Sequence, residues 1–235
     1  MPIAQLSQVL FSQGFGTRRE CAALIAGGRV RVGGVAIDAL DHRVETEGLV
    51  FAVDGIDWPY HERALIVLNK PDGYECSQKP SNHPSVMTLL PPPLRTRGVQ
   101  PIGRLDADTT GLLLLTDDGA LIHRLTSPKR HVAKVYVARC SDRVTPAQLQ
   151  RLRDGVVLRD DPKPVRAQEA AAIDEHRLEL TLTEGRYHQV RRMVAAAGNH
   201  VEALHRSRFG ALALPADLAP GQWRWLSGTQ AVLPG

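Results

Sequence analysis

Residues 103–111, Gly-Arg-Leu-Asp-Ala-Asp-Thr-Thr-Gly, bring one arginine and two carboxylates into a short polar stretch. The apolar run Leu112-Leu113-Leu114-Leu115 follows at once. Such a run bounded by turn residues reads as a buried strand. Asp106 and Asp108 therefore stand on a loop held by a rigid core element, where reactive groups are commonly placed. Two carboxylates are the equipment of glycoside hydrolysis when they lie at set separations, with Asp108 as the second acid. That chemistry is disfavoured, because the chain shows no cluster of sugar-stacking aromatics and aromatic residues make up only 5% of it. In isolation, an Arg two residues from an Asp is an ordinary surface pair, and Asp in such a stretch stabilises turns or caps helices.

The surrounding elements supply companions. Ala64–Leu68 reads as a buried strand and Asn69-Lys70-Pro71-Asp72-Gly73-Tyr74 as the turn after it. Residues 77–97, rich in proline and polar groups, read as a long surface loop. A turn at Asp117-Asp118-Gly119 leads into a helix from Ala120 to Leu125. Ala133 to Ala138 alternates as a strand, which puts Lys134 and Tyr136 on one face. By default a strand tyrosine is a half-buried packing residue. Thr145-Pro146 opens a further helix, with Thr as N-cap and Pro at its first position. Residues 177–183 alternate with Leu178, Leu180 and Leu182 inward, and residues 184–193 lead into a helix closed by Gly198.

The N-terminal part reads differently. Ile3, Leu6, Val9 and Leu10 fall at helical spacing over residues 3–13. Thr17-Arg18-Arg19-Glu20 is a capping box for a second helix with Cys21, Leu24 and Ile25 on its apolar face. Residues 29–37 alternate around Gly33-Gly34, a hairpin signal. Arg18, Arg19, Arg29 and Arg31 make this stretch basic, whereas residues 38–58 are acidic, so the small unit reads as polarised. Trp58-Pro59-Tyr60-His61-Glu62-Arg63 reads as a linker. The expected division is a domain over residues 1–59 and a second over 60–235.

Composition sets the bounds. A chain of 235 residues with 43% hydrophobic content fills a core for one large domain or two smaller ones. Three scattered cysteines, no membrane-length apolar run and no signal-like N-terminus point to the cytoplasm. No metal-ligand or nucleotide-loop spacing occurs, so neither metal nor cofactor is expected. The net charge of +4 suits a polyanionic partner. Its second concentration, Arg186, Arg191, Arg192, Arg206 and Arg208, lies late in the chain. Monomer is the default state.

Taken together, these motifs resemble a known family. Gly-Arg-Leu-Asp with Asp-Thr-Thr-Gly-Leu-Leu is similar to the catalytic loop of pseudouridine synthases of the RsuA/RluB/RluE/RluF class. Leu-Asn-Lys-Pro-x-Gly resembles their opening motif, Lys-x-Tyr the next, and Leu-x-Leu-x-Glu-Gly-Arg-x-x-Gln-Val-Arg-Arg the third. The helix–helix–hairpin resembles the S4 RNA-binding domain, though it lacks the usual Arg-Leu-Asp-Lys opening. The resemblance implies an α+β fold, with the S4-like unit followed by a mostly antiparallel catalytic sheet. It implies Asp106, Tyr136 and Arg191 as catalytic residues, with Arg191 paired to Asp106. Arg104, Lys134, Leu182, Arg186 and Gln189 are implied for substrate binding. Arg18, Arg19, Arg29 and Arg31 are implied for RNA backbone. The implied reaction is isomerisation of uridine to pseudouridine in ribosomal RNA. Arg-Tyr-His-Gln at residues 186–189 and the run 198–206 are closer to members acting on small-subunit (16S) rRNA, free or in an assembling subunit, than to those acting on 23S rRNA. The competing reading is a non-catalytic RNA-binding or ribosome-assembly factor, against which the Asp106, Tyr136 and Arg191 set argues.

Overall fold

The computed structural model describes residues 2–159 and 161–233. The chain divides into two compact units. The first comprises Met1–Ala64 with Leu90–Gln100, and the second Leu65–Leu89 with Pro101–Gly235. No helix of the described residues is long and apolar enough to cross a membrane.

In the first unit, the residues expected to open a helix form a strand instead. Strand β1 (Ile3–Gln5) pairs antiparallel with β4 (Arg43–Glu45), and helix α1 (Leu6–Gln13) starts only after it. The reason is a distant backbone partner. Thr46 donates both its N–H and its hydroxyl to the Pro2 carbonyl, and the Leu6 N–H goes to the His42 carbonyl. Helix α2 (Arg18–Ala26) carries the expected box, with the Thr17 N–H donating to Glu20 Oε2 at 2.7 Å. Strands β2 (Val30–Val32) and β3 (Val35–Ile37) close through Gly33 and Gly34, both at positive φ (57° and 81°). That is the geometry of the tight hairpin turn that matches strand twist. With β5 (Val50–Val53) and β6 (Ile56–Pro59) they form a sheet of order β3-β2-β5-β6.

Trp58 does not belong to a linker. It lies in β6, is buried, and meets Phe15 edge-to-face at 5.3 Å, while Phe15 meets Phe51 at 5.5 Å. The 77–97 stretch is also more than a surface loop. Its second half returns to the first unit as helix α3 (Pro92–Thr96), with Leu94 fully buried. Arg97 fastens it, donating to Gln13 Oε1 at 2.7 Å and to the carbonyls of His61 and Glu62. Gly14 is required there: at φ 87° a Cβ would sit 2.1 Å from the Pro93 carbonyl oxygen.

The second unit is built on a nine-stranded sheet. Its strands are β7 (Leu65–Lys70), β8 (Gln100–Pro101, where the chain re-enters), β9 (Thr109–Thr116) and β10 (Lys134–Cys140). After the separate hairpin of β11 (Val156–Leu158) and β12 (Asp161–Val165) come β13 (Glu169–Ala172), β14 (Arg177–Leu182), β15 (Val201–Phe209), β16 (Leu212–Ala213) and β17 (Trp223–Trp225). The main path runs β13-β14-β10-β15-β9-β7-β17, antiparallel throughout except for the parallel pair β15 and β9. Helix α4 (Gly119–Thr126), capped by Asp118, helps bury β7 and β9 through Leu121 and Leu125. Helices α5 (Pro146–Asp154) and α6 (Gln189–Ala196) cover β10 and β14 through Leu152, Val190, Met193 and Val194. The apolar runs of β7 and β9 are buried along their whole length, as strands covered on both faces must be.

Candidate active site

The loop carrying Asp106 is tied down from three directions. Lys70, at the end of β7, is fully buried, and its ammonium donates to the carbonyls of Pro71, Ala107 and Thr109 at 3.0, 2.8 and 2.8 Å. Burial holds its pKa below the usual lysine range, and nearby Cys76, Asp72, Asp108 and Asp106 oppose that shift. The Gly73 N–H donates to the Ala107 carbonyl, and the Leu105 N–H reaches Cys76 Sγ at 3.4 Å. Leu105 is buried between exposed Arg104 and half-buried Asp106, so one apolar anchor sets both polar neighbours outward. Asn69 braces the other side, donating to the Leu218 carbonyl at 2.8 Å. The Asn-Lys-Pro turn is thus a clamp for two loops.

Gly111 closes the set. A Cβ there, at φ 101°, would lie 2.3 Å from the Arg206 carbonyl oxygen, so only glycine lets β9 approach β15. That approach brings Arg206 to the same cleft as Asp106.

The cleft holds about 540 Å³. Arg104 and Asp106 line it from the loop, and Lys134 and Tyr136 from β10. Leu182, Arg186 and Gln189 line it from the end of β14 and the start of α6. A second hollow of about 560 Å³, lined by Glu169, Glu179 and Arg208 among others, contains none of these groups.

The expected partner of Asp106 is elsewhere. Arg191 donates to the Val201 carbonyl at 2.9 Å and holds its Nη2 2.9 Å from Asp108 Oδ2. Anchoring on β15 turns its fork toward the second acid of the loop. The group beside Asp106 is His188, with Nε2 3.4 Å from Oδ1. His188 adopts φ 47°, unusual for a non-glycine residue, immediately before α6.

Arg206, in the sequence only one member of the late basic cluster, departs from it in being buried. It is 1% exposed, donates Nε to the Leu112 carbonyl at 2.8 Å, and lies over the Phe209 ring at 5.2 Å. Its Nη2 is buried without a hydrogen-bond partner. A buried donor left unmatched is costly, and here it belongs to a side chain that borders the cleft. A signal existed: along β15, residues 204 and 206 share a phase, and that phase is buried at Leu204. Arginine in the inward phase of a strand demands a reason.

The remaining expected residues divide by role. Lys134 donates to the Val132 carbonyl at 3.1 Å, and burial pushes its pKa down to about 8. Arg186 is paired with Asp161 and Glu184, and Gln189 is buried with its amide on Glu184 Oε1 at 2.8 Å. Both therefore brace the cleft wall. In the first unit, Arg18, Arg19, Arg29 and Arg31 are all exposed. Arg29 is matched by a two-pronged pair with Asp54 at 2.7 and 2.6 Å, so the basic and acidic stretches meet at that point.

Sheet, clamped aspartate loop and cleft are those of an RNA pseudouridylate synthase. The chain belongs to that family, matching it over residues 64–196, and matches the S4 domain over residues 6–50. It is 40% identical over 218 residues to the ribosomal small subunit pseudouridine synthase A of Escherichia coli (strain K12), covering 92% of this chain and 94% of that protein. It is 35% identical over 214 residues to the protein of the same name from Haemophilus influenzae (strain ATCC 51907 / DSM 11121 / KW20 / Rd), covering 91% and 92%. A crystal structure of a pseudouridylate synthase, 32% identical, matches the fold with a TM-score of 0.68 over 97% of each chain.

Proposed function

We propose that this chain isomerises a uridine of small-subunit rRNA to pseudouridine, with Asp106 as the reacting carboxylate. The observation that carries the reading is the meeting of Asp106, Tyr136 and the part-unsatisfied Arg206 in one cleft. The N1–C1′ bond breaks, the uracil turns, and C5 bonds to C1′. C5 gives up a proton and N1 gains one, so the product is an isomer.

A uridine in folded RNA must leave its stack first, at roughly a few kcal/mol. Tyr136 stacks on the everted base and offsets about 1–3 kcal/mol of this. Asp106 acts at the sugar–base junction. Arg206 supplies the positive charge that sequence reasoning assigned to Arg191, and Arg191 steadies the loop through Asp108. Arg104 follows the loop to the rim and meets the strand that the uridine leaves. Arg18, Arg19 and Arg31 meet RNA backbone from the first unit. The names of the relatives at 40% and 35% identity support the choice of small-subunit rRNA.

The test is pseudouridine mapping on both rRNAs after incubation with wild type and with Asp106→Asn. Wild type should modify small-subunit rRNA at one position. Asp106→Asn should bind it comparably and convert at least about 10³-fold more slowly. Near-normal turnover by the variant would remove Asp106 from the chemistry, and modification confined to large-subunit rRNA would overturn the substrate.

A further inference from the structure

The segment between β14 and α6 is fastened from beneath and bare above. The Arg186 N–H donates to Gln189 Oε1 at 2.7 Å, and Gln189 Nε2 donates to Glu184 Oε1 at 2.8 Å. Arg192 Nη1 donates to the Tyr187 carbonyl at 2.9 Å. This bracing serves two rings that take no part in the core. Tyr187 is 74% exposed, the most exposed of the large apolar and aromatic side chains among the described residues. It lies nearly parallel to the His188 ring, with centroids 3.9 Å apart and planes 18° apart. His188 in turn reaches Asp106. Two stacked rings thus run from solvent to the reacting carboxylate, along one wall of the cleft.

A tyrosine this exposed gains little from burial, yet its backbone is held and its ring is stacked. Everting one nucleotide also removes a stacking partner from each of its neighbours. A rigid ring at the rim replaces one of those lost contacts, and base–aromatic stacking serves any of the four bases. Exposed Arg104 lies on the same cleft, where a phosphate beside such a base would pass.

We infer that Tyr187 and His188 form a second base subsite, a stacked ledge that takes the nucleobase adjacent to the target uridine. The inference rests on the uridine-isomerase reading above. The ledge sets the register of the strand, so that the everted uridine arrives opposite Asp106.

The experiment measures kcat and KM on small-subunit rRNA carrying, at each position flanking the mapped uridine in turn, an abasic nucleotide. Enzymes are wild type, Tyr187→Ala and Tyr187→Phe. Tyr187→Ala should raise KM about tenfold with a much smaller change in kcat, and Tyr187→Phe should recover most of the loss, because the ring and not the hydroxyl stacks. Removing one flanking base should cost wild type a similar factor and cost Tyr187→Ala almost nothing more, since both changes delete the same contact. Independent, multiplying penalties would overturn the ledge, as would an unchanged KM in Tyr187→Ala. A wild-type enzyme that makes no pseudouridine overturns the parent reading; an active wild type with an indifferent Tyr187→Ala overturns the ledge alone.

Discussion

Four arginines of the first unit lie on its surface, and one arginine of the second is sunk into it. Arg18, Arg19, Arg29 and Arg31 are exposed, whereas Arg206 is 1% exposed. An exposed guanidinium keeps its hydration and acts through a field screened within about 8–10 Å at ordinary salt. A buried one has lost that hydration and is worth its desolvation only where geometry matches it to a partner. Surface arginines are therefore suited to holding a polyanion in many registers, and Arg206 to recognising one arrangement of charge.

The strongest way to break this contrast is Arg206→Met. Turnover should fall about 100-fold, the usual scale for losing one preorganised donor. Unfolding free energy should stay within about 2 kcal/mol, since apolar replacements of buried charges are often neutral. Arg206→Lys should recover little, because an ammonium lacks the planar fork. Single-turnover rates and urea melts measure both. A Met variant with normal turnover and a large loss of stability would make Arg206 a structural residue and erase the distinction.

A smaller effect sharpens the other side. Arg18→Ala combined with Arg19→Ala should weaken RNA binding several-fold. The slope of log affinity against log salt should fall by about 1.4, roughly 0.7 for each single-strand phosphate contact. Arg29→Ala should move the slope by less than half as much, because Asp54 already matches that charge. Equal effects from all three positions would show that the pair with Asp54 opens on binding.

How much of this was legible depends on chain distance. The Asp106 loop is a local string followed by a local strand, so its nature could be read directly. The capping box at Thr17 and the Gly33-Gly34 turn are local too, and both were legible. Lys70 was readable only as part of a turn; its three carbonyl partners include two from residues 107 and 109, across the β7–β9 pair. The expected pairing of Arg191 with Asp106, where the structure has Arg191 with Asp108, and the burial of Arg206 were hidden for the same reason. Arg206 reaches the cleft because β15 runs parallel to β9, and no periodicity announces which strands will be neighbours. Ile3–Gln5 and Leu90–Gln100 repeat the lesson, since each takes its conformation from partners far along the chain.

Lys134 stands between the two kinds of charge and gives the finest test. It shares the cleft with Arg206, and its ammonium lies 5.4 Å from the Phe209 ring centre. Burial, then the charge of Arg206, push its pKa down to about 8, against the pull of Glu184. The folded protein therefore releases this proton near pH 8, while the unfolded chain keeps it up to the ordinary lysine range. Between those limits the unfolded state binds more protons, so this residue makes stability rise with pH; below about pH 8 both states are protonated and its full cost is felt. Urea melts of wild type and Lys134→Met should show the variant's relative advantage shrinking from about pH 7.5 to about pH 10. RNA affinity should decline more steeply in wild type than in the variant as the ammonium near the bound strand is lost. A constant stability difference across that range would mean that Lys134 titrates as a surface lysine does, and that the cleft floor beside Arg206 is open to water rather than the dry setting a recognising charge requires.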